Sequence, residues 1–186
     1  MSKWWLVTWT TFGTWLPGDP RGFQTWRGRQ YVPPPKRYAK AGEPTYDSAQ
    51  FSDEHKRASA IAGEAVYLSS AQQELVRDAV IDEIASIPII AAILAIKKAH
   101  VHLLAKFGPF DIRATVGRLK AAATRLLGEQ GFEDKRVWSR NCHMKSKTTA
   151  REIRGAFDYI RKHGKNGALI HIWQGFPDKF AANFDI

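Results

Sequence analysis

The chain has 186 residues, of which 44% are hydrophobic and 25% charged, which supports an ordinary globular domain and excludes wholesale disorder. Lysine and arginine outnumber the acidic residues by 28 to 18, and the resulting net charge of +10 favours a polyanionic partner. A single cysteine, Cys142, excludes an internal disulfide framework and a cysteine-based zinc cluster.

The sequence shows no targeting or membrane-spanning pattern. Its first residues, Met-Ser-Lys-Trp-Trp, lack the basic and apolar regions of a signal peptide. The longest apolar run, Ile84 to Ile96, contains Pro88 and is shorter than the ~20 residues that cross a bilayer. We therefore expect a cytoplasmic protein with no membrane partner.

A strand and a long irregular segment open the chain. Residues 3–12 (KWWLVTWTTF) carry aromatic and β-branched side chains on both faces, which predicts a central strand. Residues 13–68 are rich in proline and glycine, which break regular elements, and predict a basic, aromatic loop insertion. The elements predicted after it are, in chain order, a helix between Ser70 and Pro88 with a Ser70–Gln73 capping box, strands over 89–96 and 100–107 joined by a tight turn at 97–99, a helix between Asp111 and Gly131, a strand over 137–145, and a helix between Thr149 and Gly164 with a Thr149–Glu152 capping box.

The predicted order is therefore β-α-β-β-α-β-α. This alternation around a central hairpin indicates an α+β ferredoxin-like sandwich, in which an antiparallel sheet carries helices on one face. We expect a single domain over residues 1–186, with 13–68 as an insertion after the first strand and 166–186 as a C-terminal tail.

Two histidines occupy alternate positions of the second hairpin strand. Side chains in a strand alternate between faces, so His100 and His102 project from the same face and both can reach one ion. A His-x-His pair also arises by chance, and the alternative is two structural histidines with no metal.

A tyrosine and a third histidine lie four residues apart in the last predicted helix. Tyr159 and His163 therefore share one helix face, which flanks the apolar stripe. The alternative is a half-buried tyrosine stacked over a histidine whose charge suits the helix C-terminus. Taken with His100 and His102, however, the pair can form a three-ligand metal site beside a phenol.

Such a site has a specific chemical use. A phenol with its usual pKa of ~10 is a poor nucleophile at neutral pH. A divalent metal on a scissile phosphate polarises the phosphorus and stabilises the negative charge of the transition state. Attack by a tyrosine then gives a phosphotyrosine link and a free hydroxyl, and the link allows the strand to be rejoined without ATP.

Several segments together resemble the single-tyrosine HUH endonucleases, named for a His-hydrophobic-His motif. The chain is most similar to the branch of transposases of small single-strand insertion sequences and their REP-associated relatives. The resemblance covers residues 3–16 and 69–165. It is carried by the opening TFGTWLPGDPRG, the hairpin AILAIKKAHVHLLAKF, the strand RVWSRNCHMKS and the helix REIRGAFDYIRKHG.

The resemblance implies roles for four residues. Tyr159 would be the nucleophile, and His100, His102 and His163 the metal ligands. The family often has glutamine or asparagine where this chain has His163. The resemblance implies a divalent ion, Mg²⁺ or Mn²⁺, and three imidazoles favour Mn²⁺. The turn at 97–99 (KKA) also departs from the Met-Pro-Asn-like turn of the family.

Basic residues cluster in two parts of the sequence. Around the last strand and helix they are accompanied by few acids. Within residues 21–40 they are accompanied by no acid, and this stretch also contains aromatic rings. Phosphate contact and base stacking are one interpretation. The alternatives are a solvated charged face and a loop that packs its tryptophans into the core. The candidate nucleic-acid contacts are Arg136, Arg140, Lys145, Lys147, Arg154, Arg21 and Arg27.

Three functions remain from the sequence. The first, implied by the resemblance, is a metal-dependent transposase that cleaves and rejoins single-stranded or hairpin DNA through a 5′-phosphotyrosine. The second is an inactive or domesticated binding module of the same fold. The third, a replication initiator or relaxase, is disfavoured by the short chain. The sequence leaves open whether the protein is a monomer or a homodimer.

Overall fold

A computed structural model of the chain describes residues 3–24, 31–32, 48–132 and 136–174. The chain divides into two compact units, Met1–Thr11 with Tyr67–Ile186, and Phe12–Val66. A single domain over residues 1–186 stays a prediction. No helix among the described residues is long and apolar enough to cross a membrane.

The helices and strands follow in this chain order: β1 Trp4–Thr10, β2 Phe23–Gln24, β3 Tyr31–Val32, α1 Ser48–Ala62, α2 Ser70–Ala85, β4 Ile90–Ile96, β5 His100–Lys106, α3 Ile112–Glu129, β6 His143–Lys147, α4 Ala150–Lys162, a 3-10 turn His163–Asn166, and β7 Leu169–Ile172.

The larger unit is built on one five-stranded sheet. Its strand order is β6-β1-β5-β4-β7, and every neighbouring pair is antiparallel. Within this unit, β1, α2, β4, β5, α3 and β6 follow one another along the chain in the β-α-β-β-α-β order that the sequence predicts. The prediction of an α+β fold with an antiparallel sheet is confirmed. Strand β7, which comes from the predicted tail at 166–186, adds an edge next to β4.

Helices cover both faces of this sheet, so the prediction of helices on one face is wrong. Helices α2 and α3 pack on the face formed by alternate residues such as Val101 and Leu103. Helix α4 packs on the opposite face, where its apolar residues meet Ile93 and Leu104. The cause is visible in β4, whose residues after Ile90 are all buried. A strand that is apolar on both sides requires cover on both sides.

The ends of the elements show which local signals decide. Asp111 caps α3, and Thr149 with Glu152 forms the predicted capping box of α4. The predicted box at Ser70 and Gln73 is wrong by one residue, because Ser69 and Gln72 form it. The predicted end of the last helix at Gly164 is also wrong, because α4 ends at Lys162. A 3-10 turn continues to Asn166, and Gly167 ends it with a φ of 76°.

The predicted strand over 137–145 forms later than expected, over 143–147. Before it, Trp138 makes one isolated bridge to Thr11. The Lys120 ammonium donates hydrogen bonds to the carbonyls of Ser139 (2.7 Å) and Asn141 (3.0 Å). The Lys120 side chain therefore takes up these two carbonyls, and the ladder between β1 and β6 begins only at His143.

The smaller unit contains more regular structure than a loop insertion implies. Helix α1 lies within it, as does the short β2–β3 pair. The prediction that breakers exclude regular elements from 13–68 is wrong for residues 48–62. That stretch (SAQFSDEHKRASAIA) contains no proline or glycine. The breakers lie on either side of it, with Gly63 directly after the helix, and a helix can form in the stretch between them.

Candidate metal and tyrosine site

Strand β5 places two histidines on the sheet face that carries α4. His100, His102 and Leu104 are alternate residues of β5, so their side chains lie on the same face. Leu104 belongs to the core under α4, which identifies that face. The two imidazole rings lie edge to face with centroids 4.7 Å apart. His102 is buried, at 5% exposure, and His100 is half-buried. The alternation of the strand thus brings both rings to one place.

Helix α4 brings the third histidine and the tyrosine to the same place. Its buried stripe packs on the sheet through Ile153, Ala156, Phe157 and Ile160. His163, one residue beyond the helix, stacks on His102 at a centroid distance of 4.6 Å and lies 5.8 Å from His100. The ligand nitrogens of the three histidines all lie within 4.8 Å of one another.

Tyr159 lies next to this group and remains open to solvent. Its ring is edge to face with His102 at 5.4 Å and with His163 at 4.9 Å, and the residue is 48% exposed. A large substrate can therefore reach the phenol while the three imidazoles form the wall beneath it. All four side chains belong to one chain, so this grouping requires no second subunit.

A threonine on β1 fixes the orientation of His102. Thr8 lies opposite His102 in the β1–β5 register, and its Oγ1 is 2.7 Å from the His102 Nδ1. A ligating histidine donates its other ring N–H to such a group, which leaves the Nε2 lone pair for the metal. Within the described part of the chain, His102 Nε2 and both ring nitrogens of His163 are buried without a hydrogen-bond partner.

These buried nitrogens fit a bound cation. An unpaired buried nitrogen is costly, and a metal ion would satisfy one nitrogen of each histidine. Three imidazoles without a carboxylate or thiolate suit a divalent transition metal such as Mn²⁺ better than Mg²⁺, which prefers oxygen ligands. The histidine group can therefore hold a divalent metal ion.

The electrostatics keep the imidazoles in the form that binds metal. Burial, together with the neighbouring His100, His163 and Lys97, lowers the pKa of His102 to about 3. Burial and Lys97 also lower the pKa of His163 below its usual value. Neutral imidazole is the ligating form, so these residues need lose no proton on binding a metal at neutral pH.

Comparison with known proteins adds a structural likeness. No protein-family model and no curated protein sequence matches the chain. Among solved structures, the chain is similar to a REP-associated tyrosine transposase bound to a REP hairpin. The match has a TM-score of 0.51 and 14% identity, and it covers 89% of this chain and 69% of the other. This chain has the fold of a tyrosine transposase.

Two of the predicted basic residues lie on the sheet face that carries the histidines. Lys147 pairs with Trp4 and Lys145 with Leu6 on β1, and both partners belong to the core under α4. Paired residues of neighbouring strands point to the same face. Lys145 and Lys147 therefore line the β6 edge of the surface that carries the histidines.

The other predicted contacts are dispersed. Arg136, Arg140 and Arg154 are exposed in the larger unit. Arg21 belongs to the smaller unit, where it pairs with Asp19. Arg27 lies outside the described residues.

Sequence reasoning missed two residues beside the histidines, Thr8 and Lys97. The contact of Thr8 joins residues 94 positions apart, and no local pattern shows that register. The sequence pattern places Lys97 in a turn and indicates no role at the site. Its position three residues before His100 was the available signal, because the turn brings its charge close to the strand that follows.

Proposed function

We propose that this protein is a metal-dependent endonuclease and strand transferase of the transposase type, which cleaves and rejoins single-stranded DNA. The observation that carries the proposal is the meeting of three histidines and one exposed tyrosine on a single sheet face. The fold of the tyrosine transposase supports it, as does the resemblance of the His-x-His strand and the tyrosine helix to HUH endonucleases.

In this proposal the histidines bind the metal and the tyrosine reacts. His100, His102 and His163 would hold a divalent ion, Mn²⁺ or Mg²⁺. When bound, the ion would polarise a phosphodiester and stabilise negative charge on its oxygens. The Tyr159 oxygen attacks the phosphorus and loses its proton to solvent. The bond from phosphorus to the 3′ oxygen breaks, and that oxygen leaves as a hydroxyl after taking up a proton. The 5′ phosphate remains on Tyr159.

The surroundings of the four residues suit a nucleic-acid strand. Tyr159 is exposed, so the phosphodiester of an extended strand can approach it. Lys145 and Lys147 lie on the same sheet face and would neutralise phosphates along the β6 edge. Exposed Arg136, Arg140 and Arg154, together with Arg21 and Arg27, are proposed as further phosphate contacts. The proposed substrate includes hairpin DNA, since the transposase of the same fold was found bound to a REP hairpin.

A covalent-adduct assay tests the proposal. The protein is incubated with Mn²⁺ or Mg²⁺ and single-stranded oligonucleotides from the flanks of its own gene that carry the label at the 3′ end, because the 3′ fragment is the one that stays on Tyr159. The products are then separated on a denaturing gel. We expect a labelled protein band that requires metal and disappears in Tyr159→Phe. Tyr67→Phe is the matched control, because Tyr67 is also exposed, at 56%, and its ring lies under the Lys98 ammonium.

The outcomes separate the two main functions. A band in wild type and Tyr67→Phe, but not in Tyr159→Phe, supports the nuclease. A band that persists in Tyr159→Phe contradicts the assigned nucleophile. Bound DNA without a band, across both metals and several hairpins, contradicts the enzyme and favours an inactive binding module of the same fold.

A further inference from the structure

The smaller unit displays a tryptophan beside an arginine on its surface. Trp15 is 41% exposed, and its indole Nε1–H donates to the Gly22 carbonyl. The Arg21 guanidinium lies over the indole, with Cζ 5.2 Å from the ring centroid. The two groups are therefore held next to each other, and both stay partly exposed to solvent. A single exposed apolar residue needs no explanation by itself, and Trp15 differs in the contacts that hold its ring in place.

A buried carboxylate holds the arginine. Asp19 is only 3% exposed and accepts from the Arg21 backbone N–H at 2.8 Å and from its Nε–H at 2.8 Å. The Arg21 Nη2 donates to the second Asp19 oxygen and to the Thr14 carbonyl. Burial alone would raise the pKa of Asp19, but the Arg21 hydrogen bonds hold it below the usual value. The pair stays ionised, and the guanidinium plane is fixed.

The loop beneath these two groups is also fixed. Backbone hydrogen bonds from Asp19 to Leu16 and from Gly22 to Asp19 close two successive turns. Gly18 has a φ of 81°, and a Cβ there would lie 2.5 Å from the Phe51 carbonyl oxygen of α1. The turn therefore packs directly on the helix. A surface that is ordered before binding loses little conformational entropy when a ligand arrives.

We propose that Trp15 and Arg21 form a stacking site for an unpaired nucleotide. Bases stack on indole rings and on guanidinium planes, whereas the bases of a duplex present no free face. Arg21 also opens a stretch, residues 21–40, with six cations and no acid, which fits the phosphates of a strand. The identity of the strand as single-stranded DNA rests on the proposed function, but the stacking chemistry does not.

Binding measurements on full-length variants test this site. The probe is a fluorescein-labelled oligothymidylate of about 20 nucleotides, followed by anisotropy in the Tyr159→Phe background so that no cleavage interferes. We expect Trp15→Leu to weaken binding about tenfold and Trp15→Phe, which keeps a ring, to stay within about threefold of the parent. Phe110→Leu is the matched control, because Phe110 is 40% exposed and lies outside the loop. The affinity of Phe110→Leu for the oligothymidylate should equal that of the parent.

The outcomes distinguish this inference from the proposed function. Trp15→Leu binding within about twofold of the parent would overturn the stacking site, and so would equal losses in Trp15→Leu and Trp15→Phe, which would indicate a structural role for the indole. The same changes should leave binding of a duplex unaltered, and a matching loss with duplex would also overturn the site. Tighter, Trp15-dependent binding of an RNA of equivalent sequence would overturn the assignment to DNA. Formation of the Tyr159 adduct is scored separately, in the wild-type and Trp15→Leu proteins, so either idea can fail alone.

Discussion

The hydrogen bond between Thr8 and His102 makes the role of the histidine group testable without touching a ligand. Replacing Thr8 by valine keeps a β-branched side chain in β1 but removes the oxygen that lies 2.7 Å from His102 Nδ1. His102 is buried in β5, and we expect the isosteric change to leave it there. What changes is the group that selects the ring tautomer, and with it the direction of the Nε2 lone pair.

The expected magnitude follows from the burial of His102. A buried ring nitrogen that loses its partner costs about 1–3 kcal/mol, so we expect the free energy of unfolding to fall by about 1 kcal/mol or more. Loss of a partner that orients a metal ligand weakens metal binding about 10–100-fold. We therefore expect Thr8→Val to bind Mn²⁺ at least tenfold more weakly than the wild type.

Calorimetric titration with Mn²⁺ measures this affinity directly, and urea unfolding measures stability. Thr10→Val is the matched control. Thr10 lies on the same strand, opposite His100, but its hydroxyl donates to Ser139 at 3.0 Å. We expect Thr10→Val to change stability and to leave Mn²⁺ affinity within about twofold of the wild type, since no ligand loses its partner.

The reasoning fails if Thr8→Val binds Mn²⁺ as tightly as the wild type while its stability falls. In that case the Thr8 hydroxyl would serve only packing of the sheet. Equal losses of affinity in Thr8→Val and Thr10→Val would also contradict it, because a general weakening of β1 would then explain both.

Three further predictions concern the ligand set, the start of α4 and the smaller unit. His163→Gln replaces a nitrogen ligand by an amide oxygen, and we expect the ratio of Mn²⁺ to Mg²⁺ affinity to fall in calorimetric titrations; an unchanged ratio would show that His163 does not bind the ion. Hydrogen bonds from the two threonines before α4 hold the pKa of Glu152 at about 2, below its usual 4.5. Its contribution to stability is therefore present above about pH 4.5 and lost as the pH falls towards 2. Thermal melts of Glu152→Gln should show a smaller decrease in Tm over this pH range than melts of the wild type, and parallel curves would contradict the prediction. Gly18→Ala forces a Cβ into a left-handed backbone position against the Phe51 carbonyl and should destabilise the smaller unit by about 2 kcal/mol or more in urea unfolding. Gly117→Ala, on an open part of α3, should stabilise the larger unit by about 0.5–1 kcal/mol in the same assay. Similar effects of the two changes would contradict the prediction that Gly18 is required by packing.

The architecture of the sheet followed from local patterns because each strand and helix has its own period. The continuous apolar run of β4 and the alternation in β5 predict a hairpin, and the structure confirms the antiparallel α+β fold. What local patterns do not contain is the assignment of helices to faces. Helix α4 was predicted from its own stripe, but that stripe does not say which side of the sheet it covers.

The wrong boundaries also have non-local causes. Residues 69–73 (SSAQQ) offer two capping boxes with the same spacing, at Ser69 and at Ser70. The structure uses Ser69, and the residue before it, Leu68, donates its backbone N–H to the Lys98 carbonyl. That contact holds the preceding chain extended up to Leu68, so the helix begins directly after it. Strand β7 was missed for a similar reason, because its partner β4 lies far away in the sequence.

The candidate site was also predictable only in part from local patterns. Spacing alone predicts that His100 and His102 share a strand face and that Tyr159 and His163 share a helix face. The structure brings these two faces together. Their roles as ligands and nucleophile stay predictions. Thr8 was beyond reach, because its contact depends on the register of two strands that are distant in the chain.

The most direct test of the central claim is the location of the nucleotide on the protein. After reaction with single-stranded DNA and divalent metal, the adduct is trimmed with nuclease, digested with trypsin and analysed by tandem mass spectrometry. Cleavage after Arg154 and Arg161 releases the peptide GAFDYIR, in which Tyr159 is the one hydroxyl-bearing residue. We expect a nucleotide mass on this peptide in wild type. Unmodified peptide, with the nucleotide on another peptide or on none, would contradict it.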